Sequence, residues 1–302
     1  RDVLGSRGLG DVYKRQGPAA IRFGGLVEGL ERQGHHVRDR GDILAPRTGA
    51  SREKLLHYEQ VSEVNRRVYL SVTETLEEGR FPVILGGDHS IAAGSIAAVS
   101  KRHSGNIGVI WIDAHGDWNS EESTCTGNMH GMPFSAVCGY GPDCMVEFGQ
   151  GAAPVNVAHC VQVGGRDIDD LERQRMAQAG VTVFPINMID KLGMGAVIER
   201  AIQIAGEGTD GIHLSFDVDA ITPEAVPGTG VIVYNGLTPR EAFLAAEAIA
   251  ESRKLISMDM VEVNPFLDTA NKSGILASEL IQSALGKSVY LSLIHISEPT
   301  RP

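Results

Sequence analysis

The sequence predicts an α/β fold: a single domain of three layers, α/β/α, around a mostly parallel central sheet. Short apolar runs alternate with amphipathic helical segments through most of the chain, and neither a linker nor an internal repeat interrupts them. At 302 residues, 42% of them hydrophobic, the chain is long enough for one large domain of this kind. Ligands of such folds bind at the carboxyl ends of the strands, so polar residues that follow strands are the first candidates for a site.

The helices are predicted from apolar residues that recur at helical spacing. The first begins at Gly17-Pro18, carries Ile21 and Leu30, and ends at Gly34. The predicted helices cover residues 17–34, 52–79, 91–100, 169–178, 188–204, 239–251 and 274–285. The strands are predicted from the short apolar runs between them, which cover residues 37–43, 81–85, 106–113, 157–163, 181–184, 211–216 and 255–260. Residues 116–129 form a long polar loop, and such a loop after a strand end is more often functional than filler.

The two ends of the chain lack this periodicity. Residues 1–16 mix glycines and charges, and residues 293–302 follow the last patterned helix without a pattern of their own. We expect both to be non-native tails, which leaves residues 17–292 as the folded domain.

Composition excludes several classes of function. The formal net charge of -11 argues against nucleic acid and anionic membranes as partners. No apolar run approaches the ~20 residues of a membrane span, and no signal-peptide pattern is visible. The four cysteines show no CxxC spacing, which indicates neither a zinc ribbon nor a disulfide framework. A cytoplasmic protein is therefore expected.

The main functional signal follows the central strand, where Asp113, His115 and Asp117 occupy every second position. In an extended backbone these side chains share one face. Two carboxylates gathered at one strand end repel each other unless a cation joins them. A solvated acidic loop is the alternative for this motif taken alone.

Further polar residues follow other strands: His89 after residues 81–85, Asp217 and Asp219 after the strand at 211–216, and Glu262 after residues 255–260. Without Glu262, the rim of the sheet gathers two histidines and four aspartates. One metal needs three or four ligands, so six ligands suit two metals, and oxygen-rich ligation without thiolate favours Mn(II) over zinc. Water bridging two such ions would be acidified to a hydroxide nucleophile near neutral pH.

Two other histidines differ in their setting. His213 lies inside a predicted strand and is expected to be a packed core residue. His130 stands at the end of the polar loop, before Gly131-Met132-Pro133, and is a candidate to face the metals.

Three stretches are similar to the metal motifs of the ureohydrolases, which comprise the arginases, the agmatinases and their relatives: residues 86–90 (GGDHS), 113–117 (DAHGD) and 215–219 (SFDVD). The resemblance covers residues 17–292. It implies a three-layer α/β/α fold and a centre of two Mn(II) ions per chain. Residues 128–133 (NMHGMP), 165–169 (GRDID) and 260–265 (MVEVNP) resemble the arginases most closely.

The resemblance implies a role for each residue of the site. The metal residues would be His89 and Asp117 on one manganese, His115 and Asp219 on the other, and Asp113 and Asp217 between them. The catalytic residues would be His130 as proton shuttle, Asp117 as donor to the leaving amine, and Glu262 as partner of the guanidinium. The substrate-binding residues would be Asn119 and Thr126 for the carboxylate, Asp169 for the α-amino group and Glu172 in support.

The implied reaction is hydrolysis of L-arginine to L-ornithine and urea by a metal-bridging hydroxide, within arginine metabolism and the urea cycle. The chain would act as a homo-oligomer, a trimer or hexamer by resemblance. Two positions depart from the family pattern: Val231 stands where a hydroxyl is usual near the guanidinium pocket, and Thr222 replaces an aspartate before Pro223.

Three alternatives remain open at this point. An agmatinase, or another ureohydrolase of guanidino compounds, shares the metals and differs in the polar loop. A deacylase of the histone-deacetylase type has a similar fold with one catalytic zinc, but its signature lacks the His89 motif. A catalytically silent scaffold would need no intact set of metal ligands.

Overall fold

A computed structural model describes residues 16–148 and 153–287. Its sheet has six strands in the order β1-β6-β5-β2-β3-β4, and every neighbouring pair is parallel. The strands are β1 (Val83–Leu85), β2 (Gly108–Ile112), β3 (Cys160–Val163), β4 (Thr182–Phe184), β5 (Ile212–Asp217) and β6 (Leu255–Val261). The prediction of a parallel α/β sheet is confirmed. Residues 1–15 and 293–302 of the predicted tails lie outside the described residues, and the tails stay a prediction.

The helices of the described residues connect these strands. They are α1 (Gly17–Phe23), α2 (Leu26–Arg32), α3 (Tyr58–Glu77), α4 (Ala92–Arg102), α5 (Pro133–Val137), α6 (Asp143–Val146), α7 (Asp170–Ala179), α8 (Ile186–Leu192), α9 (Met194–Gly206), α10 (Pro239–Ser252) and α11 (Lys272–Ala284). In the parts of the chain that the structure describes, no helix is long and apolar enough to cross a membrane.

Strand β2 shows how the sheet divides the hydrophobic core in two. Its five residues are all buried, and successive side chains point to opposite faces. Ile110 and Ile112 pack on the face covered by α9, α10 and α11, whereas Val109 and Trp111 pack on the face covered by α3 and α4. A strand buried on both faces is therefore apolar along its whole length, which is why it reads as a continuous apolar run.

One predicted strand was wrong. Residues 35–46 form neither strand nor helix, although residues 37–43 were expected to be extended within a sheet. Strand β1 is the edge strand of the described sheet and pairs only with β6, so the predicted segment does not extend the sheet beyond β1. Its charged side chains make ion pairs instead, as between Arg22 and Asp39 at 2.7 Å and between Arg22 and Asp42 at 2.6 Å.

Smaller corrections concern the helices. The helix predicted over residues 188–204 is two helices, α8 and α9, because Gly193 between them has a φ of 81° that a helix cannot contain. The helix predicted from residue 52 begins at Tyr58, after His57 in the left-handed region. The short helices α5 and α6 were not predicted.

The register of the sheet determines where the functional residues meet. Ile112 of β2 lies beside Phe216 of β5, and Asp217 lies beside Val261 of β6. All strands run in the same direction, so the residues that follow β1, β2, β5 and β6 emerge at one edge of the sheet. This edge carries the candidate site.

Candidate metal centre

Asp113 lies at the centre of this edge, directly after β2, and is fully buried. Its two carboxylate oxygens are already oriented by the protein. The indole Nε1 of Trp111 donates to Oδ2 at 2.9 Å, and the backbone N–H of His115 donates to Oδ1 at 2.7 Å. The remaining lone pairs of both oxygens face the neighbouring polar residues.

The six predicted metal residues lie together at this edge. The candidate ligand atoms form two groups, and within each group all atoms lie within 4.8 Å of one another. One group is His89, Asp113 and Asp117, and the other is Asp113, His115 and Asp219. Asp113 belongs to both groups. The sixth residue, Asp217, brings Oδ2 to 3.3 Å from Nδ1 of His89.

Nδ1 of His89 shows how closely the groups converge. It lies 3.0 Å from an oxygen of Asp113 and 3.1 Å from one of Asp117. Nδ1 of His115 similarly lies 3.3 Å from Asp113 and 3.1 Å from Asp219. Each of the two Nδ1 atoms thus faces several carboxylate oxygens at once, an arrangement that could hold a metal ion.

In the absence of cations, burial and repulsion between the carboxylates shift the pKa values of the cluster. Burial and the repulsion by Asp113 raise the pKa of Asp117 to about 8. Burial and repulsion by Asp219 and Asp113 also raise the pKa of Asp217 well above its ordinary value. Against the cost of burial, the surrounding carboxylates raise the pKa of His89 far above that of a free histidine. Without cations, the cluster therefore keeps protons on these side chains, and the protons offset part of its negative charge.

Divalent cations would replace these protons. Four carboxylates neutralise two divalent ions, and imidazole with carboxylate is a donor set that Mn(II) accepts. The residues present thus fit two such ions. Asp117 also has a φ of 49° in the left-handed region, which is uncommon for a residue other than glycine and typical of functional sites.

Glu262 stands beside the cluster after β6. Its backbone N–H donates to the carbonyl of Gly87 at 2.8 Å, and its Oε1 accepts from the backbone N–H of His89 at 2.9 Å. Its φ of 65° is again left-handed. These contacts fix the carboxylate of Glu262 beside the cluster.

The three residues predicted to act from the polar loop differ in their exposure and in their hydrogen bonds. Asn119 is tied to the end of the loop, because its backbone N–H donates to Gly131 and its Oδ1 accepts from Ser123 at 2.9 Å. Thr126 is exposed, and its hydroxyl accepts from the backbone N–H of Asn128 at 3.1 Å. His130 lies in a short 3-10 turn and is half-buried.

Thr126 and His130 also line a cavity of about 760 Å³, which lies beside α3 and β1. None of the six predicted metal residues lines this cavity. The cavity is therefore not the place where the polar chemistry is concentrated.

Asp169 and Glu172 lie at the start of α7. Glu172 is buried and accepts from the backbone N–H of Trp118 at 2.8 Å and from that of Asp169 at 3.2 Å. It thereby joins the helix to the segment that carries Asp117, and burial raises its pKa to about 7. Asp169 is exposed at the helix N-terminus. Nearer to the cluster is Asp167, whose Oδ2 lies 3.9 Å from Nε2 of His115.

Three supporting groups were not predicted from the sequence. Gln162 on β3 donates to the carbonyls of Asp113 and His115 at 2.9 and 3.1 Å. Arg166 donates to the carbonyl of Asp219 at 2.7 Å and to that of Val233 at 2.8 Å. The third group is a buried row of hydrogen-bonded side chains behind His89, which runs through Ser215 to Asp259. His213, fully buried as predicted, also bonds to Asp259. The alternation of His213, Ser215 and Asp217 on one face of β5 was the available signal.

Comparison with known proteins identifies the family of the chain. The model of the arginase family matches residues 8–286. The chain belongs to the arginase family. An arginase of Bacillus caldovelox is 39% identical over 277 residues, which cover 90% of this chain and 92% of that protein. The crystal structure of a Bacillus subtilis arginase has a TM-score of 0.87 and 40% identity, with 91% and 93% of the two chains covered.

A more distant relative shows that the fold of the family persists at lower identity. The arginase of Entamoeba histolytica, crystallised with L-ornithine, has a TM-score of 0.83 at 30% identity and covers 91% of this chain and 94% of that one. The family therefore supports the three-layer fold and an enzyme of the ureohydrolase class.

Proposed function

We propose that the chain hydrolyses L-arginine to L-ornithine and urea with two Mn(II) ions per chain. The observation that carries the proposal is the convergence of His89, His115 and four aspartates at one edge of the sheet, with Glu262 beside them. The relatives that are named arginases, at about 40% identity over nine tenths of the chain, support the substrate.

The two metal positions follow from the two groups of ligand atoms. His89 and Asp117 would hold one ion, His115 and Asp219 the other, and Asp113, which belongs to both groups, would bridge them together with Asp217. When bound, the ions supply positive charge that lowers the pKa of water towards neutrality, which makes a nucleophile available at the guanidinium carbon.

The residues of the chain would then orient the substrate and move protons. The carboxylate of Glu262 pairs with the planar guanidinium and fixes its plane. Asp117 passes a proton to the leaving amine, and His130 exchanges protons with solvent from the rim of the site. Asn119 and Thr126 bind the α-carboxylate, and Asp169, supported by Glu172, binds the α-ammonium group.

We also propose that the protein is cytoplasmic and assembles as a homo-oligomer, a trimer or hexamer. The four cysteines are free thiols in the structure, which suits a reducing compartment. Sedimentation of the purified protein tests the assembly, and a monomer at micromolar concentration would contradict it.

The test of the function combines metal content with product formation. After loading with Mn(II) and removal of excess ion, we expect two ions per chain and release of urea and L-ornithine from L-arginine. His115→Asn should lose tight binding of one ion and nearly all activity. The control is His103→Asn, since His103 pairs with Asp210 at 3.1 Å away from the site. One ion per chain with full activity would overturn the binuclear proposal.

A further inference from the structure

A buried polar chain lies behind the metal residues. It runs from Asp259 on β6 through Ser215 on β5 to the ring of His89, and His213 joins it from the same strand. These side chains are at most 1% exposed. Polar groups at this depth are stable only when they are hydrogen-bonded, so the direction of each bond is constrained by its partners.

Asp259 is the acceptor at the inner end of the chain. Three donors converge on its carboxylate: Ser215 Oγ at 2.5 Å, His213 Nε2 at 2.9 Å and Ser95 Oγ at 3.0 Å. Burial opposes ionisation, but the charge of His213 and these hydrogen bonds hold the pKa of Asp259 below its ordinary value. An ionised carboxylate can only accept hydrogen bonds, so Ser215 must donate its proton to Asp259.

This direction determines the role of Ser215 towards the metal site. With its proton committed to Asp259, Ser215 Oγ can only accept from Nε2 of His89, 2.7 Å away. The proton of the His89 ring that points inward is therefore on Nε2. Nδ1, on the opposite side of the ring, points at the oxygens of Asp113 and Asp117.

The plane of the His89 ring is held separately. Trp111 stacks on it with ring centroids 4.0 Å apart and planes 12° apart. Stacking fixes the plane but does not choose between the two orientations of the imidazole within it. The hydrogen bond to Ser215 makes that choice, because only Nε2 can reach Ser215 while Nδ1 faces the carboxylates.

We propose that Asp259, acting through Ser215, is a positioning residue that fixes the orientation and tautomer of His89 so that Nδ1 serves one of the two metal positions. This inference rests on the proposed metal site. It assigns no contact with the substrate to Asp259 or Ser215. Hydrogen bonds of this kind to a ligating histidine typically change metal affinity by about 10–100-fold.

The protein offers a matched pair of serine variants. Ser215 and Ser257 are the same residue, are both fully buried and both contact the network, but Ser257 bonds to Nδ1 of His213 at 2.7 Å and not to His89. Ser215→Ala should weaken one Mn(II) by about 10–100-fold and change the other by less than about threefold. Ser257→Ala should leave both affinities within about threefold.

Mn(II) binding is measured by electron paramagnetic resonance titration and calorimetry, so the result does not depend on turnover. Equal weakening by the two serine variants, or equal weakening of both ions by Ser215→Ala, would overturn the proposal. Asp259→Asn, which preserves shape and removes the charge, should give the same one-sided loss as Ser215→Ala. Circular dichroism spectra establish that each variant is folded.

If the wild-type protein binds Mn(II) but releases no urea, the proposed function fails, whereas the contrast between the serine variants still decides this inference.

Discussion

In the absence of metal ions, replacing the proposed ligand Asp117 with asparagine should stabilise the fold while removing function. Burial and repulsion by Asp113 raise the pKa of Asp117 from 3.8 to about 8. Between these two pH values the native state keeps a proton that the unfolded state has lost, so the free energy of unfolding falls as pH rises. Asparagine does not ionise and avoids this loss. It also tolerates the left-handed φ of 49° at this position.

The size of the effect follows from the pKa shift. Each pKa unit corresponds to about 1.4 kcal/mol, so the roughly three units between 3.8 and pH 7 set an upper bound of about 4 kcal/mol. Relaxation of the neighbouring carboxylates reduces this amount. We expect Asp117→Asn to gain about 2–4 kcal/mol over the wild type at pH 7 and close to nothing at about pH 4.

Denaturant titrations followed by circular dichroism, at several pH values in the presence of a chelator, measure this difference. Asp167→Asn is the control, because that carboxylate is 67% exposed although it lies 3.9 Å from His115, and its replacement should change the free energy of unfolding by less than about 1 kcal/mol. With Mn(II) present the order should reverse, since two ions, each at a hundred times its dissociation constant, stabilise the wild type by about 5 kcal/mol, which exceeds the expected advantage of the variant. A variant less stable than the metal-free wild type at pH 7 would refute the electrostatic reasoning.

Three further predictions concern the same site. Glu262→Gln should lower kcat/KM for L-arginine by about 10–150-fold, because a charged hydrogen bond is worth about 1.5–3 kcal/mol; a change below about twofold would remove Glu262 from the guanidinium pocket. Burial raises the pKa of Glu172 from 4.5 to about 7, so the native state binds a proton that the unfolded state has lost, and the free energy of unfolding falls as pH rises between about pH 5 and pH 7. Glu172→Gln should reduce this fall. If the free energies of unfolding at pH 5 and pH 8, from denaturant titrations, differ as much in the variant as in the wild type, the prediction is contradicted. Chelation should lower the melting temperature and abolish urea release, and added Mn(II) should restore both; activity that survives exhaustive chelation would exclude the metal mechanism.

The proximity of the six proposed metal residues could be predicted from sequence because each follows an apolar run at the end of a parallel strand. The spacing of Asp113, His115 and Asp117 places them on one face, and parallel strands bring their carboxyl ends to one edge. Strand order was not needed for this conclusion. The predicted segment at residues 37–43 failed for the opposite reason, since a strand exists only if a neighbour pairs with it.

The buried polar chain behind His89 could not be predicted from sequence, because it depends on the register of the sheet. Ser215 and His213 were visible as polar residues on one face of β5, but their partner Asp259 lies on another strand. Ser215 stands opposite Asp259 only in the observed register, which includes an irregularity between Ile212 and His213. A shift of one residue would have turned Asp259 to the other face of the sheet.

The central claim is that L-arginine is the substrate, and the ratio of kcat/KM for L-arginine to that for agmatine tests it most directly. The two compounds share the guanidinium and differ by the α-carboxylate, which we assign to Asn119 and Thr126. Two hydrogen bonds to a charged group are together worth about 3–6 kcal/mol, so the Mn(II)-loaded protein should prefer L-arginine by at least about a hundredfold, and Asn119→Ala with Thr126→Ala should reduce the ratio mainly by slowing L-arginine. Values within about tenfold of each other for the two substrates would contradict the assignment of L-arginine.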